Sequence, residues 1–107
     1  MAQIAKVRWT PLALSDFHNA YEYIMQERPS AARGIVQHVE RALNALIRYP
    51  SIGRAGRLRG TRELYIVNTP FVMAYRVYKN QLEVLAFMHA ARRWPESFAA
   101  GGGRRGV

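Results

Sequence analysis

The chain has 107 residues, half of them hydrophobic, enough for one domain with one modest core. It has no cysteine, which excludes a disulfide frame, a thiolate metal site and a thiol nucleophile. Sixteen basic against seven acidic residues give a formal charge of +9, which favours anionic partners without choosing among nucleic acid, acidic protein segments and membrane surfaces.

Ile4 to Trp9 is a strand candidate with Val7 and Trp9 on one face and Lys6 and Arg8 on the other. Thr10-Pro11 then starts a helix, with Thr10 as N-cap and Pro11 at the first helical position. This helix runs to about Glu27, with Ala13, Phe17, Ala20, Tyr21 and Ile24 on one stripe. Pro29 ends it, because the residue before proline is pushed out of the α region. A second helix runs from Pro29 or Ser30 to just before Pro50, with Ala32, Ile35, Val36, Val39, Ala42, Leu43 and Leu46 inward and Ile47 at the edge. So short a connection makes an antiparallel helical hairpin. Ser51 to Gly60 reads as a loop with three glycines and Arg54, Arg57 and Arg59 between them.

Gly60 to Pro95 holds three runs rich in β-branched and aromatic residues, separated by Asn68-Thr69-Pro70 and Lys79-Asn80. That pattern predicts a three-stranded antiparallel meander. With two-residue turns at Thr69-Pro70 and Lys79-Asn80, counting sets the register. Leu64, Ile66, Phe71, Met73, Tyr75, Val77, Leu82, Val84, Ala86 and Met88 fall on one dry face. The other face carries the rows Val67–Val72–Phe87, Tyr65–Ala74–Leu85 and Glu63–Arg76–Glu83. The helices must bury their stripes on the dry face, giving an α+β two-layer domain in the order β-α-α-β-β-β. Residues 1–98 form the single domain, and Ala99 to Val107, a Gly/Arg tail, reads as disordered. Met1–Lys6 lacks the apolar run of a signal peptide, no stretch is long enough to span a bilayer, and a cytoplasmic location fits.

Each candidate for chemistry has a plainer reading beside it. The Arg/Gly loop could bind phosphates, but it lacks a Gly-Lys-Ser/Thr ending and a preceding strand, so an ordinary solvated loop fits equally well. His89 with Arg92 and Arg93 could act in general acid–base cleavage of RNA. Without a second acid–base group at a telling spacing, a hydrogen-bonded His89, surface arginines and a core-plugging Trp94 fit better. His38 has no carboxylate or histidine four residues on and His18 has only Glu22, too few donors to hold an ion, so neither a metal nor any other cofactor is expected.

Val7-Arg8-Trp9-Thr10-Pro11-Leu12-Ala13, Tyr23-Ile24, Leu46…Tyr49-Pro50, Gly53-Arg54, Gly60-Thr61-Arg62-Glu63-Leu64, Tyr75-Arg76-Val77 and His89-Ala90…Trp94-Pro95, in this order, resemble the RelE/ParE superfamily of toxin–antitoxin toxins. The resemblance implies a small toxin neutralised by a ParD-like antitoxin that is acidic and folds on binding. The RelE-like branch cleaves mRNA on the ribosome with lysines on one strand and an arginine second in the next. Here Glu63 and Tyr65 stand at about the lysine positions and Val72 at the arginine, with Arg92 near a second catalytic arginine. The chain therefore looks like the ParE branch, associated with inhibition of DNA gyrase and without an established enzymatic activity. On that expectation Arg57, Arg59, Arg62, Arg92, Arg93 and Trp94 touch the target, while Tyr65, Val72, Leu85 and Phe87 form an open face for the antitoxin. No residue is catalytic; the alternative, a ribosome-dependent endoribonuclease, would use His89 and Arg92.

Overall fold

In a computed structural model, which describes residues 4–90, the chain folds in the order β1 (Lys6–Trp9), α1 (Pro11–Glu27), α2 (Pro29–Arg48), β2 (Arg54–Ala55), β3 (Arg62–Tyr65), β4 (Phe71–Tyr78) and β5 (Gln81–His89). The expected two-layer α+β domain is present. Thr10 caps α1, its Oγ1 accepting from the Ala13 amide at 3.1 Å, and Pro11 opens the first turn. Arg28, kept out of the helical region before Pro29 at φ −148° and ψ 83°, separates the two helices.

The five strands lie in the order β1-β5-β4-β3-β2, with β1 parallel to β5 and the remaining pairs antiparallel. Two strand placements go beyond the sequence reading: β1 pairs with the last strand, and two residues of the Arg/Gly loop form β2 against β3. The helices cover one sheet face. Ala13, Ile35, Val39 and Leu46 pack there with Ile66, Met73, Tyr75, Leu82 and Val84.

The β4–β5 turn is as expected. Lys79 and Asn80 both have positive φ, 50° and 63°, the signature of a two-residue hairpin turn that matches strand twist. The β3–β4 connection is longer than expected. Ile66 donates to Phe71 O at 3.0 Å, so Val67 to Pro70 all lie in the loop, with Asn68 at φ 65°. The Thr69 side chain shapes it, with Oγ1 donating to Ile66 O at 2.9 Å and accepting from the Phe71 amide at 3.1 Å. The register shifts by two residues, which keeps each side chain on its face but moves Glu63 from Arg76 to Ala74.

A second difference does change faces. The ladder runs Tyr75 to Val84, then Ala74 to Ala86, so Leu85 is an extra residue in a β-bulge. Beyond it the alternation inverts. Phe87, expected on the open face, lies under the helices, stacked on Phe71 at 5.0 Å and edge-on to Phe17 at 5.2 Å. Ala86 and Met88, expected beneath the helices, join Val72, Ala74 and Leu85 on the second face. Burying an aromatic ring against two others outweighs an unbroken ladder.

Candidate functional site

The second sheet face carries two clusters built alike. In one, Glu83 on β5 sits between Arg8 on β1, 3.0 Å away, and Arg76 on β4, 2.7 Å away. These residues lie directly across from each other in the ladders, so the sheet sets the geometry. In the other, Glu63 on β3 faces Arg54 on β2 at 3.1 Å, with the Arg57 Nε at 3.8 Å. The two carboxylates are buried, at 3 % and 6 % exposure, whereas all four guanidiniums remain about half exposed. Glu63 Oε2 accepts no hydrogen bond among the described residues, so Arg57 balances its charge without bonding it. Arg54 also donates to the Tyr65 hydroxyl at 3.2 Å and lies 5.0 Å above its ring. Its pKa is raised above the ordinary arginine value, first by the hydrogen bond to Glu63 and then by Tyr65.

The loop that presents Arg54 is fixed from below. The buried Tyr75 hydroxyl donates to Pro50 O at 2.7 Å and accepts from the Gly53 amide at 3.0 Å. Burial raises its pKa. Arg62 donates to Gly53 O at 2.7 Å and Ser51 O at 3.3 Å. A side chain at Gly53 would meet the Tyr75 hydroxyl at 2.5 Å and the Glu63 carbonyl at 2.8 Å, so only glycine fits.

On the helical side, a cleft of about 910 Å³ opens between the α1–α2 junction, the β3–β4 loop and the end of β5. Ile24, Ile35, Phe71 and Phe87 supply apolar lining, and Asp16, Glu27, Arg28 and His89 charged or polar lining. Asp16 accepts from the Phe87 amide at 3.3 Å, tying α1 to β5. His89 is exposed and edge-on to Phe71 at 5.8 Å.

The sequence-derived residues divide accordingly. Of the four expected to form one open face, Tyr65 is exposed, Leu85 is half-buried, Val72 is 5 % exposed and Phe87 belongs to the cleft. The set does not share a surface, because the bulge at Leu85 inverts the alternation. The expected Glu63–Arg76–Glu83 row keeps its Arg76–Glu83 half, facing away from the helices, and Glu63 turns to the loop arginines instead. Arg59 is exposed, Arg57 meets Glu63, and Arg62 is committed to the loop backbone. Arg92, Arg93, Trp94 and the tail lie outside the described residues. Sequence reasoning missed the Arg8–Glu83 pair, which the parallel β1–β5 pairing creates. Among the described residues no His, Asp and Glu cluster could hold a metal, and no helix is long and apolar enough to cross a membrane.

Residues 7–94 match the family described as the ParE toxin of type II toxin-antitoxin system, parDE. The chain belongs to this family. Among its relatives is "Putative toxin Y4kP" of Sinorhizobium fredii (strain NBRC 101917 / NGR234), 37 % identical over 91 residues, covering 85 % of this chain and 94 % of the relative. Toxin RelE2 of Caulobacter vibrioides is 35 % identical over 89 residues, covering 83 % and 99 %. The fold is similar to a chain in the chromosomal ParDE TA system from P. aeruginosa, with a TM-score of 0.70 at 23 % identity over 78 % of this chain and 94 % of that one. Membership makes the chain a type II toxin and implies an antitoxin partner.

Proposed function

We propose that this ParE-family toxin acts by binding rather than cutting, as an inhibitor of DNA gyrase that a ParD-like antitoxin holds in check. One observation carries the reading. Where the resemblance to the nuclease branch calls for cations on adjacent strands, the chain has Val72, 5 % exposed, and Glu63, a buried carboxylate pinned by Arg54 and Arg57. Phosphodiester cleavage needs positive groups facing a developing negative charge. A buried carboxylate at that point opposes it. Gyrase inhibition requires only a surface, and Arg57, Arg59, Arg62, Arg92, Arg93 and Trp94 remain the candidates, since guanidinium and aromatic groups are common interface anchors.

The antitoxin fits the cleft better than the second sheet face. The cleft is concave with an apolar lining that includes Tyr23 of α1, 64 % exposed, while Val67, 71 % exposed, directly precedes its lining residue Asn68 in the β3–β4 loop. An amphipathic segment that folds on binding would bury them. On the second face, by contrast, Val72, Ala74, Ala86 and Met88 are already 0–9 % exposed.

The likeness to a protein named RelE2 and the exposed His89 at the end of β5 keep mRNA cleavage as the second reading. Both assays on one antitoxin-free preparation separate the two, with His89→Ala and Arg92→Ala beside wild type. The gyrase reading expects blocked supercoiling and intact ribosome-bound mRNA, with inhibition surviving His89→Ala. Codon-specific cuts that vanish with Arg92→Ala, while supercoiling proceeds, would replace it with the nuclease.

A further inference from the structure

Among the described residues four carboxylates are exposed or half-buried, and three of them, Asp16, Glu22 and Glu27, stand on α1, which carries no lysine or arginine. On a chain of formal charge +9 this helix is an anionic wall. Asp16, Asn19, Tyr23 and Glu27, three and four residues apart, share the side of it that lines the cleft, over about 16 Å. Ile24, Ile35 and Phe71 line the cleft too, so apolar surface lies along a wall with a carboxylate at each end. Arg28 is the one arginine or lysine among the described lining residues, which leaves the lining net negative.

The chain leaves the sheet at the rim of this cleft. β5 ends at His89, a lining residue, and the Ala90 amide donates to the carbonyl of Pro70, another, at 2.8 Å. Residues 91–107 follow, outside the described residues, with four arginines against one glutamate. Trp94 is four residues past Ala90, a reach of up to about 13 Å, within the length of the α1 wall. A residue before proline favours extended backbone, so Pro95 lowers the cost of ordering Trp94. In an extended segment Arg92 and Trp94 point to one side and Arg93 to the other.

From this arrangement we propose that residues 91–98 of the same chain dock in the cleft, with Trp94 against Ile24, Ile35 and Phe71 and Arg92 paired with the carboxylates of α1. The four-residue tether holds Trp94 there at an effective concentration on the order of millimolar, so a contact that is weak between separate molecules is filled within one. Charge selects the same occupant. A cationic segment gains from Asp16 and Glu27, whereas an acidic one competes for the apolar lining alone. An antitoxin segment entering the cleft must displace this tethered competitor, and its apparent affinity falls in proportion to the undocked fraction. Trp94 is then an anchor for the chain itself, and of the three candidate target contacts beyond β5 only Arg93 faces out of the cleft. The docking depends neither on the gyrase reading nor on where the antitoxin binds.

The chain has no cysteine, so a nitroxide attached through Ser97→Cys reports on one place. In the full chain enriched in nitrogen-15 it should broaden the amide resonances of Tyr23, Glu27 and Asn68 in the cleft lining. Those of Lys79 and Asn80, at the far end of β5 and roughly 25–30 Å away, should stay sharp. Trp94→Ala should abolish the selective broadening, and Trp94→Phe should keep it. Glu27→Lys should reduce it, whereas Glu22→Lys, the same charge change on α1 outside the cleft lining, should leave it as in wild type. The dispersion of the remaining amide resonances confirms that each variant folds; if Trp94→Ala does not, the Glu27 and Glu22 pair decides. Broadening no greater in the cleft than at Lys79 and Asn80 would overturn the proposal. So would equal effects of Glu22→Lys and Glu27→Lys. The same cleft broadening in an enriched chain without nitroxide, mixed with spin-labelled unenriched chain, would also overturn it by giving the cleft to the segment of a second copy.

Discussion

Removing the Tyr75 hydroxyl tests how the arginine-bearing loop is held. The phenol is fully buried, donates to Pro50 O at 2.7 Å and accepts from the Gly53 amide at 3.0 Å. In Tyr75→Phe both hydrogen bonds vanish, and the buried Gly53 amide loses its partner without gaining water. Two bonds at about 1 kcal/mol each, with a further penalty for the stranded donor, put the loss at about 2–3 kcal/mol. For a chain of this size that lowers Tm by roughly 10–15 °C. Urea unfolding followed by circular dichroism measures it, with Tyr49→Phe, on a ring 62 % exposed, as the control that should not move. A loss below about 0.5 kcal/mol, indistinguishable from the control, would refute the claim that this hydroxyl anchors residues 50–53. Gly53→Ala should destabilise as well, and combining it with Tyr75→Phe should not restore stability. The Glu63 carbonyl would still stand 2.8 Å from the new methyl carbon after the hydroxyl is gone.

The same phenol gives a pH signature. Its native pKa is raised by burial above the ordinary value near 10, so its stabilisation is present below about pH 10 and is lost as pH rises through the native pKa. Wild type should therefore lose stability at alkaline pH more steeply than Tyr75→Phe, as melts at increasing pH would show. Thr10→Ala removes the α1 cap and a 3.3 Å bond to Leu85 O, and should cost about 1 kcal/mol in urea unfolding. Tyr23→Asp, in the cleft lining, should weaken the antitoxin complex in calorimetry far more than Leu85→Asp on the second face; the reverse order would move the antitoxin to that face.

The helices and the two-layer architecture were legible because their signals are local. Thr10-Pro11, Pro29 and the apolar stripes need no tertiary partner to be read, and Lys79-Asn80 announces its own turn. The β3–β4 loop was misread because Thr69 shapes it through side-chain bonds to Ile66 and Phe71 that composition does not reveal. The bulge was invisible for a related reason. Leu85, Ala86 and Phe87 are apolar on either face, so no polar residue marks the point where the alternation inverts. The Arg8–Glu83 pair joins residues 75 positions apart and exists only because β1 docks beside β5. By contrast, the absence of cations at Val72 and Glu63 could be read directly, and the structure adds that both side chains are buried.

A stoichiometric titration of gyrase with antitoxin-free toxin tests the central claim most directly. An inhibitor that works by occupying a surface must be present in amounts comparable to the enzyme. Supercoiling should fall in proportion to added toxin, stop falling near equimolar toxin, and recover when antitoxin is added. Full supercoiling in the presence of a molar excess of toxin, with ribosome-bound mRNA cut by catalytic amounts of the same preparation, would contradict it.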